Sequence, residues 1–275
     1  MSSTRLKGLK VGFLNATSLK KHTWEFRHFL SNNDSYHIFG ISETRLGSNI
    51  DDFIINVPGY SVLRQDRNTG GGGVLLYVKN TIKAKLLYSS KTEKIGKPLK
   101  PEYMFCSVWE GNSTPTLVVL IYRPPDVSFR SDSQFVDLLR SYCSDFSHKI
   151  IIGDLNADML DKSNSDTKFV NDLMNDLSLK LVETGSSHHT SNKDTWIDTI
   201  FVDKCDTVLD SDRMLPTFKS RHDIISVTIN IHYPAPPIGS FTYKRLNKIT
   251  SSGLNSYLRT LNWSSFTTPR MMILT

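Results

Sequence analysis

Several polar residues lie at or beside the ends of short apolar runs, and they are the part of the sequence best suited to chemistry. A residue at a strand end is held rigidly by the sheet, while its side chain stays open to a substrate. Asn15, for example, closes the run Val-Gly-Phe-Leu, and Asp154 follows Ile-Ile-Ile-Gly. The full set is Asn15, Glu43, Tyr122, Asp154, Asn156, Asp198, His222 and Asp223.

This set offers three kinds of group that phosphoester chemistry uses. Its carboxylate and amide oxygens are hard ligands for a divalent cation, a carboxylate can activate water, and an imidazole can meet a phosphate. Any one Asn or Asp after a strand more often caps a helix or forms a turn. Capping therefore explains each residue alone more readily than it explains the set.

The elements that would position these residues are mostly strands. Short runs rich in Val, Ile, Phe and Tyr are bounded by Gly, Pro, Asn or Asp, as is typical of buried strands between turns. Many strands with few helices predict packed sheets covered by helices in one α/β or α+β domain. The predicted strands are 9–14, 37–41, 73–78, 103–109, 117–122, 149–152, 197–202 and 224–231, and the predicted helices are 18–30, 133–146 and 167–177.

Composition excludes a disordered chain, because 39% of residues are hydrophobic and 22% are charged. No apolar run approaches the roughly 20 residues that cross a bilayer, and the N-terminal residues lack the features of a signal peptide. We therefore expect an intracellular protein that is not secreted and has no membrane partner. Cys106, Cys143 and Cys205 are widely separated, which favours buried thiols over a metal or redox site.

The net charge of +6 and the pI near 9.1 favour a polyanionic partner, because neutralising phosphates releases their counterions. A solvated basic surface explains the charge equally well.

A domain boundary is predicted near the C-terminus. Prolines and a glycine break the strand pattern in residues 233–239, directly after the last strand-like run. We expect one domain over residues 1–232, followed in 233–275 by a linker and the truncated start of a further region, which is too short for its own core.

A series of short motifs runs through the sequence in order. They are residues 14–19 (LNATSL), 41–44 (ISET), 71–74 (GGGV), 122–125 (YRPP), 153–157 (GDLNA), 197–198 (ID) and 220–223 (SRHD). This series resembles the endonuclease/exonuclease/phosphatase superfamily, whose apurinic-endonuclease branch includes the endonuclease domain of LINE-type (non-LTR) retrotransposons. The YRPP and Gly-rich motifs resemble the insect, jockey-like branch. The resemblance spans about residues 10–231 and implies a four-layer sandwich of two facing β-sheets flanked by helices.

The resemblance also implies a metal centre and a base. Glu43, supported by Asn15, would hold Mg²⁺, with Mn²⁺ as an alternative, because a hard cation prefers a few carboxylate oxygens and several waters. Asp154 would orient or deprotonate the attacking water, and Asn156 would fix its position.

Further residues are implied to contact the phosphate. His222, oriented by Asp198, would donate a hydrogen bond to a phosphate oxygen as charge develops in the transition state, and Tyr122 would contact the same phosphate. Additional contacts with phosphate or DNA are expected from Arg123, Ser220, Arg221 and Thr190.

One position departs from the family pattern. The family has Ser-Asp-His where this chain has Arg221 in the middle, so a carboxylate near the metal is replaced by a guanidinium that keeps its charge. Arg221 would repel Mg²⁺ and could bind phosphate instead. Asp223 lies on the same side of a strand, but we do not expect it to rescue the metal site. The sequence thus predicts weakened or absent cleavage.

Two other features have ordinary interpretations. Residues 70–73 could form a phosphate-binding loop, but no Gly-Lys-Ser/Thr follows, which favours a turn. His188 and His189 could be metal ligands, although adjacent side chains in an extended segment point apart. A DNA-facing loop and a plain surface loop are equally favoured for residues 188–190.

The resemblance implies an enzyme that nicks double-stranded DNA and leaves a 3′-hydroxyl, which primes reverse transcription in a retrotransposon. The reverse-transcriptase region of the same polyprotein would be a partner, and the nucleus would be the site of action. Two alternatives remain: a degenerate copy that only binds DNA, and a phosphoesterase of the same fold that acts on an inositol phosphate or sphingomyelin.

Overall fold

The computed structural model describes residues 8–67, 71–90, 100–125, 127–231 and 259–260. The chain divides into two compact units, Met1–Pro234 and Ala235–Thr275. Residues 233–275, for which we predicted a linker and a following region, lie outside the described residues apart from 259–260. The architecture of the first unit is the one that bears on function.

The described part of the first unit is built mainly from strands, with four α-helices and two short 3₁₀ helices, Phe129–Ser131 and Cys205–Thr207. In chain order the strands and α-helices are β1 (Leu9–Asn15), α1 (Leu19–Asn32), β2 (Ile38–Ser42), α2 (Asp52–Ile55), β3 (Tyr60–Gln65), β4 (Val74–Lys79), β5 (Lys83–Ser89), β6 (Glu102–Trp109), β7 (Thr116–Tyr122), α3 (Ser133–Asp145), β8 (His148–Asp154), α4 (Ser165–Asp176), β9 (Lys180–Leu181), β10 (His188–His189), β11 (Asp194–Thr195), β12 (Asp198–Val202), β13 (Val208–Met214) and β14 (Ile224–Ile229).

These strands form two six-stranded sheets and one small hairpin. The first sheet has the order β13-β14-β1-β2-β4-β3, and the second has the order β5-β6-β7-β8-β12-β9. Each sheet is mixed: β1 runs parallel to β2 in the first, and β7 runs parallel to β8 in the second. The strands β10 and β11 form the separate antiparallel hairpin.

Apolar side chains fill three layers, so the sheets face each other and each is covered by helices. The middle layer combines residues of both sheets, such as Val11 of β1 and Ile152 of β8. Helix α1 covers the outer face of the first sheet through Phe26, and α3 and α4 cover the second through Leu139 and Val170. This arrangement confirms the predicted four-layer sandwich and the three predicted helices.

Local sequence explains how the helices begin. The Asp132 side chain accepts a hydrogen bond from the backbone N–H of Phe135 at the start of α3. The Asn164 side chain accepts from Asp166 N and Thr167 N at the start of α4. Such N-caps satisfy backbone donors that lack partners in the first helical turn.

The sheet registers bring chemically active strand ends together. In the first sheet, Asn15 at the end of β1 is the neighbour of Ser42 at the end of β2, directly before Glu43. In the second sheet, Asp154 at the end of β8 is the neighbour of both Tyr122 and Asp198. The two sheets therefore present these residues at the same end of the sandwich.

Candidate active site

Asn15 joins the two carboxylates expected to carry the chemistry. Its side-chain amide nitrogen lies 3.1 Å from Glu43 Oε1 and 2.8 Å from Asp154 Oδ2, so one amide group donates to both. The amide oxygen accepts from Thr17 N at 2.9 Å, which fixes the orientation of the side chain. Asn15 and Asp154 are buried, whereas the Glu43 side chain is 19% exposed and accessible to a ligand.

Glu43 has an unusual backbone conformation at the end of β2. Its φ is +50°, in the left-handed region that a residue with a side chain rarely adopts. Such strain persists only where surrounding contacts enforce it, and it is concentrated at functional sites. The Tyr122 hydroxyl donates to Glu43 Oε1 at 3.2 Å, and Arg45 Nη2 pairs with Oε2 at the same distance. Burial, together with the charges of Glu43 and Asp154, raises the pKa of Tyr122, so its hydroxyl remains a donor.

The Asp154 carboxylate accepts two hydrogen bonds and has an altered acidity. Besides the Asn15 amide, the backbone N–H of Asn156 donates to its Oδ1 at 2.9 Å. Burial and the nearby Asp198 carboxylate raise the pKa of Asp154 to about 7. A carboxylate with a pKa near neutrality is suited to take a proton from water.

Asn156 is positioned by its own backbone conformation and by the residue that directly follows β7. Its φ is +46°, and its side-chain amide donates to Arg123 O at 2.7 Å. Asparagine tolerates the left-handed region better than most residues.

His222 and Asp198 form a buried pair. His222 Nδ1 lies 2.8 Å from Asp198 Oδ2, and the Ser187 hydroxyl donates to the same oxygen at 2.8 Å. Burial by itself lowers the pKa of His222, but the Asp198 carboxylate outweighs burial and brings the pKa to about 9. The imidazole is therefore a cation at neutral pH.

Two neighbours hold the His222 segment in place. The Ser220 hydroxyl accepts from His222 N at 3.0 Å and donates to Asn15 O at 3.2 Å. The ring of His188 packs on that of His222 with 4.5 Å between centroids, and burial lowers the pKa of His188. His188 thus provides a neutral ring beside the imidazolium.

The carboxylate oxygens of the site are the atoms that fit a hard divalent cation. Asp154 and Asp198 lie in a buried cluster with His222, in which one polar atom of each residue lies within 4.8 Å of the others, but the protonated His222 is not itself a metal ligand. Asp198 Oδ1 is buried and has no hydrogen-bond partner among the described residues. A buried carboxylate oxygen without a donor is costly unless a cation or a proton compensates it.

Solved structures of nucleases and related proteins share this architecture. An AP endonuclease from Leishmania major superposes with a TM-score of 0.62 at 16% identity, covering 81% of this chain and 88% of that chain. The endonuclease domain of TRAS1, a telomere-specific non-LTR retrotransposon, gives 0.62 at 14% identity, with coverages of 81% and 98%. An endonuclease/exonuclease/phosphatase family protein from Bacteroides thetaiotaomicron gives 0.58 at 14% identity, with coverages of 80% and 96%. The chain has the endonuclease/exonuclease/phosphatase fold. Its sequence matches no protein-family model and none of the curated proteins with which it was compared.

Within the endonuclease/exonuclease/phosphatase fold of this chain, most residues singled out from the sequence come together at one end of the sandwich. Contacts link Glu43, Asn15, Tyr122, Asp154 and Asn156 into one network and His222, Asp198 and Ser220 into another, with the Ser220–Asn15 hydrogen bond between them.

Arg123 requires a correction, because its guanidinium is buried in the protein. The residue is 3% exposed, and it donates to the carbonyl oxygens of Leu155, Val127 and Asn156 and to Asp166 Oδ2. A guanidinium with four protein acceptors supports the loop after β8 and is not available to phosphate. The prediction of a phosphate contact for Arg123 is therefore wrong.

Arg221 and Thr190 lie at the surface beside the site. Arg221 is exposed, and its carbonyl oxygen accepts from His189 N at 2.8 Å. Thr190 is exposed, and its hydroxyl donates to Lys193 O at 2.8 Å in the turn of the β10–β11 hairpin. His189 connects this hairpin to Asp223 through a contact of 2.9 Å. Asp223 is thus engaged by the hairpin.

Ser187 supports the His222–Asp198 pair, but the sequence did not predict this role. Ser187 is fully buried, and besides its hydroxyl bond to Asp198 it accepts from Asp223 N through its carbonyl oxygen at 2.7 Å. A single serine in a polar segment gives no signal in the sequence. Its role becomes evident only when the hairpin and β12 are seen side by side.

Proposed function

We propose that this chain is a DNA endonuclease that uses a divalent cation, Mg²⁺ or Mn²⁺, to hydrolyse a phosphodiester and leave a 3′-hydroxyl. One observation carries the proposal: the Asn15 amide donates to both Glu43 and Asp154, while the buried His222–Asp198 pair lies against the same network. This arrangement combines an accessible carboxylate for a cation, a base and an imidazolium. Similar structures include an AP endonuclease and the endonuclease domain of a non-LTR retrotransposon.

Each group has a chemical task in this proposal. Glu43 and Asn15 would hold the cation, which when bound would neutralise charge on the phosphate. Asp154 would take a proton from the attacking water, because its pKa of about 7 leaves it partly ionised near neutrality.

His222 and Tyr122 would bind the phosphate. Asp198 engages Nδ1 of His222 and leaves Nε2 to donate to a phosphate oxygen as negative charge builds up. The Tyr122 hydroxyl, which donates its single proton to Glu43 in the free protein, would become a second donor by turning from Glu43 to the phosphate. As water attacks phosphorus, the bond to the 3′ oxygen breaks, and that oxygen takes up a proton.

The proposed substrate is double-stranded DNA, and the net charge of +6 supports a polyanionic partner. By analogy with the TRAS1 domain, we propose that the chain acts in the nucleus with a reverse-transcriptase region of the same polyprotein.

Among the described residues, no helix is long and apolar enough to cross a bilayer.

Plasmid nicking tests the proposal. Purified chain should convert supercoiled plasmid to open circles with Mg²⁺ and not with a chelator. Glu43→Ala and Asp154→Ala should abolish nicking, while salt-sensitive DNA binding is retained. Metal-independent nicking, or full activity in both variants, would contradict the assignment.

A second candidate function is DNA binding without cleavage, and the exposed Arg221 favours it. This guanidinium occupies the position directly before His222, where the family pattern has a carboxylate. A chain that binds plasmid with strong salt dependence but nicks it under no metal condition would support this alternative.

A further inference from the structure

Arg67 and Glu102 form a buried ion pair beside the proposed active site, and the proposed chemistry uses neither. Arg67 Nε donates to Glu102 Oε1, and the side chains are only 10% and 7% exposed. A buried ion pair is weak evidence for a stabilising role, because desolvation of the charges offsets their attraction. Its position therefore calls for another explanation.

One end of the pair contacts a residue of the site. The guanidinium carbon of Arg67 lies 5.8 Å from the centre of the Tyr122 ring, within the range of a cation–π contact. Glu102 is the neighbour of Tyr122 across the β6–β7 register. The Tyr122 hydroxyl in turn donates to Glu43 at 3.2 Å.

The other end of the pair holds the backbone next to Glu43. The N–H of Gly73 donates to Glu102 Oε2 at 2.5 Å. The carbonyl oxygens of Gly72 and Gly73 accept, at 2.8 and 3.2 Å, from the backbone N–H groups of the two residues that follow Glu43. This glycine turn thus supports the strained φ of +50° at Glu43.

The turn leaves no room for side chains. A Cβ atom added at Gly72 would lie 2.5 Å from both Arg67 Cζ and Glu102 Oε1. Both glycines also have positive φ, +57° and +88°. Close packing of the turn on the ion pair makes the position of each depend on the other.

One donor atom of Arg67, Nη2, remains unsatisfied within the described part of the chain, so hydrogen bonding alone does not explain why this side chain is buried. This atom is buried and has no hydrogen-bond partner among the residues that the structure describes. An unsatisfied buried donor costs free energy, and in a native protein such a group calls for a specific explanation.

These contacts form a closed ring from Glu43 through Tyr122, Arg67, Glu102 and Gly73 back to the backbone after Glu43. We propose that Arg67 and Glu102 are positioning residues that fix the Glu43 carboxylate in the orientation its divalent cation requires. The inference rests on the proposed function, since it presumes that Glu43 binds the cation. Partners of metal ligands commonly change metal affinity by about 10- to 100-fold when they are removed.

Mn²⁺ affinity, measured by the loss of the free-ion EPR signal, tests this role independently of catalysis. The double variant Arg67→Met/Glu102→Gln removes both charges and the cation–π contact, while the Gln side chain keeps an acceptor for Gly73. We expect the dissociation constant for Mn²⁺ to rise at least about tenfold. Thermal unfolding of the same samples reports whether the fold is intact.

Arg64→Met is the matched control. Arg64 belongs to β3, three residues before Arg67, and its ion pairs go to Asp52 at 3.1 Å and Asp66 at 3.4 Å. It should bind Mn²⁺ like the wild type. Equal Mn²⁺ affinity in the wild type and a folded double variant would overturn the inference and leave the proposed function intact. A wild type that binds no Mn²⁺ would show that the metal site is absent, which would contradict both the proposed function and this inference.

Arg67→Lys extends the test if the double variant does not fold. It keeps a positive charge against Glu102, but a lysine lacks the planar group that can engage both Glu102 and the Tyr122 ring. We expect weaker Mn²⁺ binding than in the wild type. Unchanged affinity in this variant would likewise overturn the inference.

Discussion

The side-chain amide of Asn15 donates to Asp154 Oδ2 at 2.8 Å, and this hydrogen bond joins the ends of two strands that belong to different sheets. Because the same amide also donates to Glu43, a neutral residue separates two carboxylates. The site is therefore sensitive to any charge introduced at position 15.

Asn15→Asp should destabilise the protein and make its stability depend on a divalent cation. The change puts a third carboxylate between Glu43 and Asp154 and removes the donor to both. Without metal, we expect a loss of about 2 kcal/mol or more in the free energy of unfolding at pH 8. Added Mg²⁺ should raise the melting temperature of this variant more than that of the wild type.

Asn164→Asp is the control for the added charge. Asn164 is an exposed N-cap of α4, and aspartate is an equally good cap. Its stability should stay close to that of the wild type with and without Mg²⁺. An Asn15→Asp protein as stable as the wild type in chelator would contradict the proposed electrostatics.

The His222–Asp198 pair should make stability decline as pH rises above neutrality. Asp198 raises the pKa of His222 to about 9 against the lowering effect of burial. A group whose pKa is raised by folding stabilises fully below its unfolded pKa of about 6.5 and loses that contribution as pH approaches 9. Asp154 contributes a separate decline at lower pH: its pKa is raised from 3.8 to about 7, so the folded protein holds a proton that the unfolded chain has already lost, and this loss of stability is complete soon after pH 7.

Urea unfolding of wild type and His222→Gln from pH 6 to 9.5 measures this effect. Subtracting the two profiles removes titrations that both proteins share. The advantage of the wild type should shrink across this range by up to about 3 kcal/mol. A pH-independent difference would mean that His222 is neutral in the folded protein.

Arg123→Lys should reduce stability without removing a phosphate contact. A lysine cannot reach the three carbonyl oxygens and Asp166 together, so buried acceptors would lose their donors at about 1–3 kcal/mol each. Chemical unfolding should detect the loss, while the folded variant should keep its DNA affinity. The nearby Arg130→Lys, an exposed residue, should change neither property.

Much of this fold could be predicted because buried strands carry their signal locally. The segments around β1, β7 and β8 are continuous apolar runs that end in polar residues, and their ends form the site. In contrast, β5 and β13 were not predicted, because most of their residues are partly or fully exposed and show no apolar alternation. Sheet-edge strands of this kind are defined by pairing rather than by their own sequence.

The long-range parts of the site could not be predicted from local sequence. Arg123 follows a strand end in a basic protein, so a phosphate contact was a reasonable expectation, but carbonyl oxygens of a distant loop enclose it. Arg67 and Glu102 are 35 positions apart and meet only because the turn before β4 lies against the start of β6. Neither an arginine nor a glutamate is unusual in its own segment, so the local sequence gives no sign that the two side chains meet.

Arg221→Asp should increase nicking. Arg221 is exposed between Ser220 and His222, whose hydrogen bonds hold this segment in the site. A guanidinium there repels a divalent cation and attracts phosphate, whereas a carboxylate attracts the cation. We expect the nicking rate at fixed Mg²⁺ to rise at least about tenfold. DNA affinity should fall, with the salt dependence reduced by about one ion contact.

The control is Lys219→Asp, which makes the same change in charge at an exposed position two residues earlier in the chain. It should weaken DNA binding to a similar extent through the overall charge, but it should not accelerate nicking. The comparison separates an effect at the cation from a general change in DNA binding, because only the former raises the rate at saturating DNA. If Arg221→Asp nicks plasmid at the wild-type rate, the guanidinium does not limit cleavage.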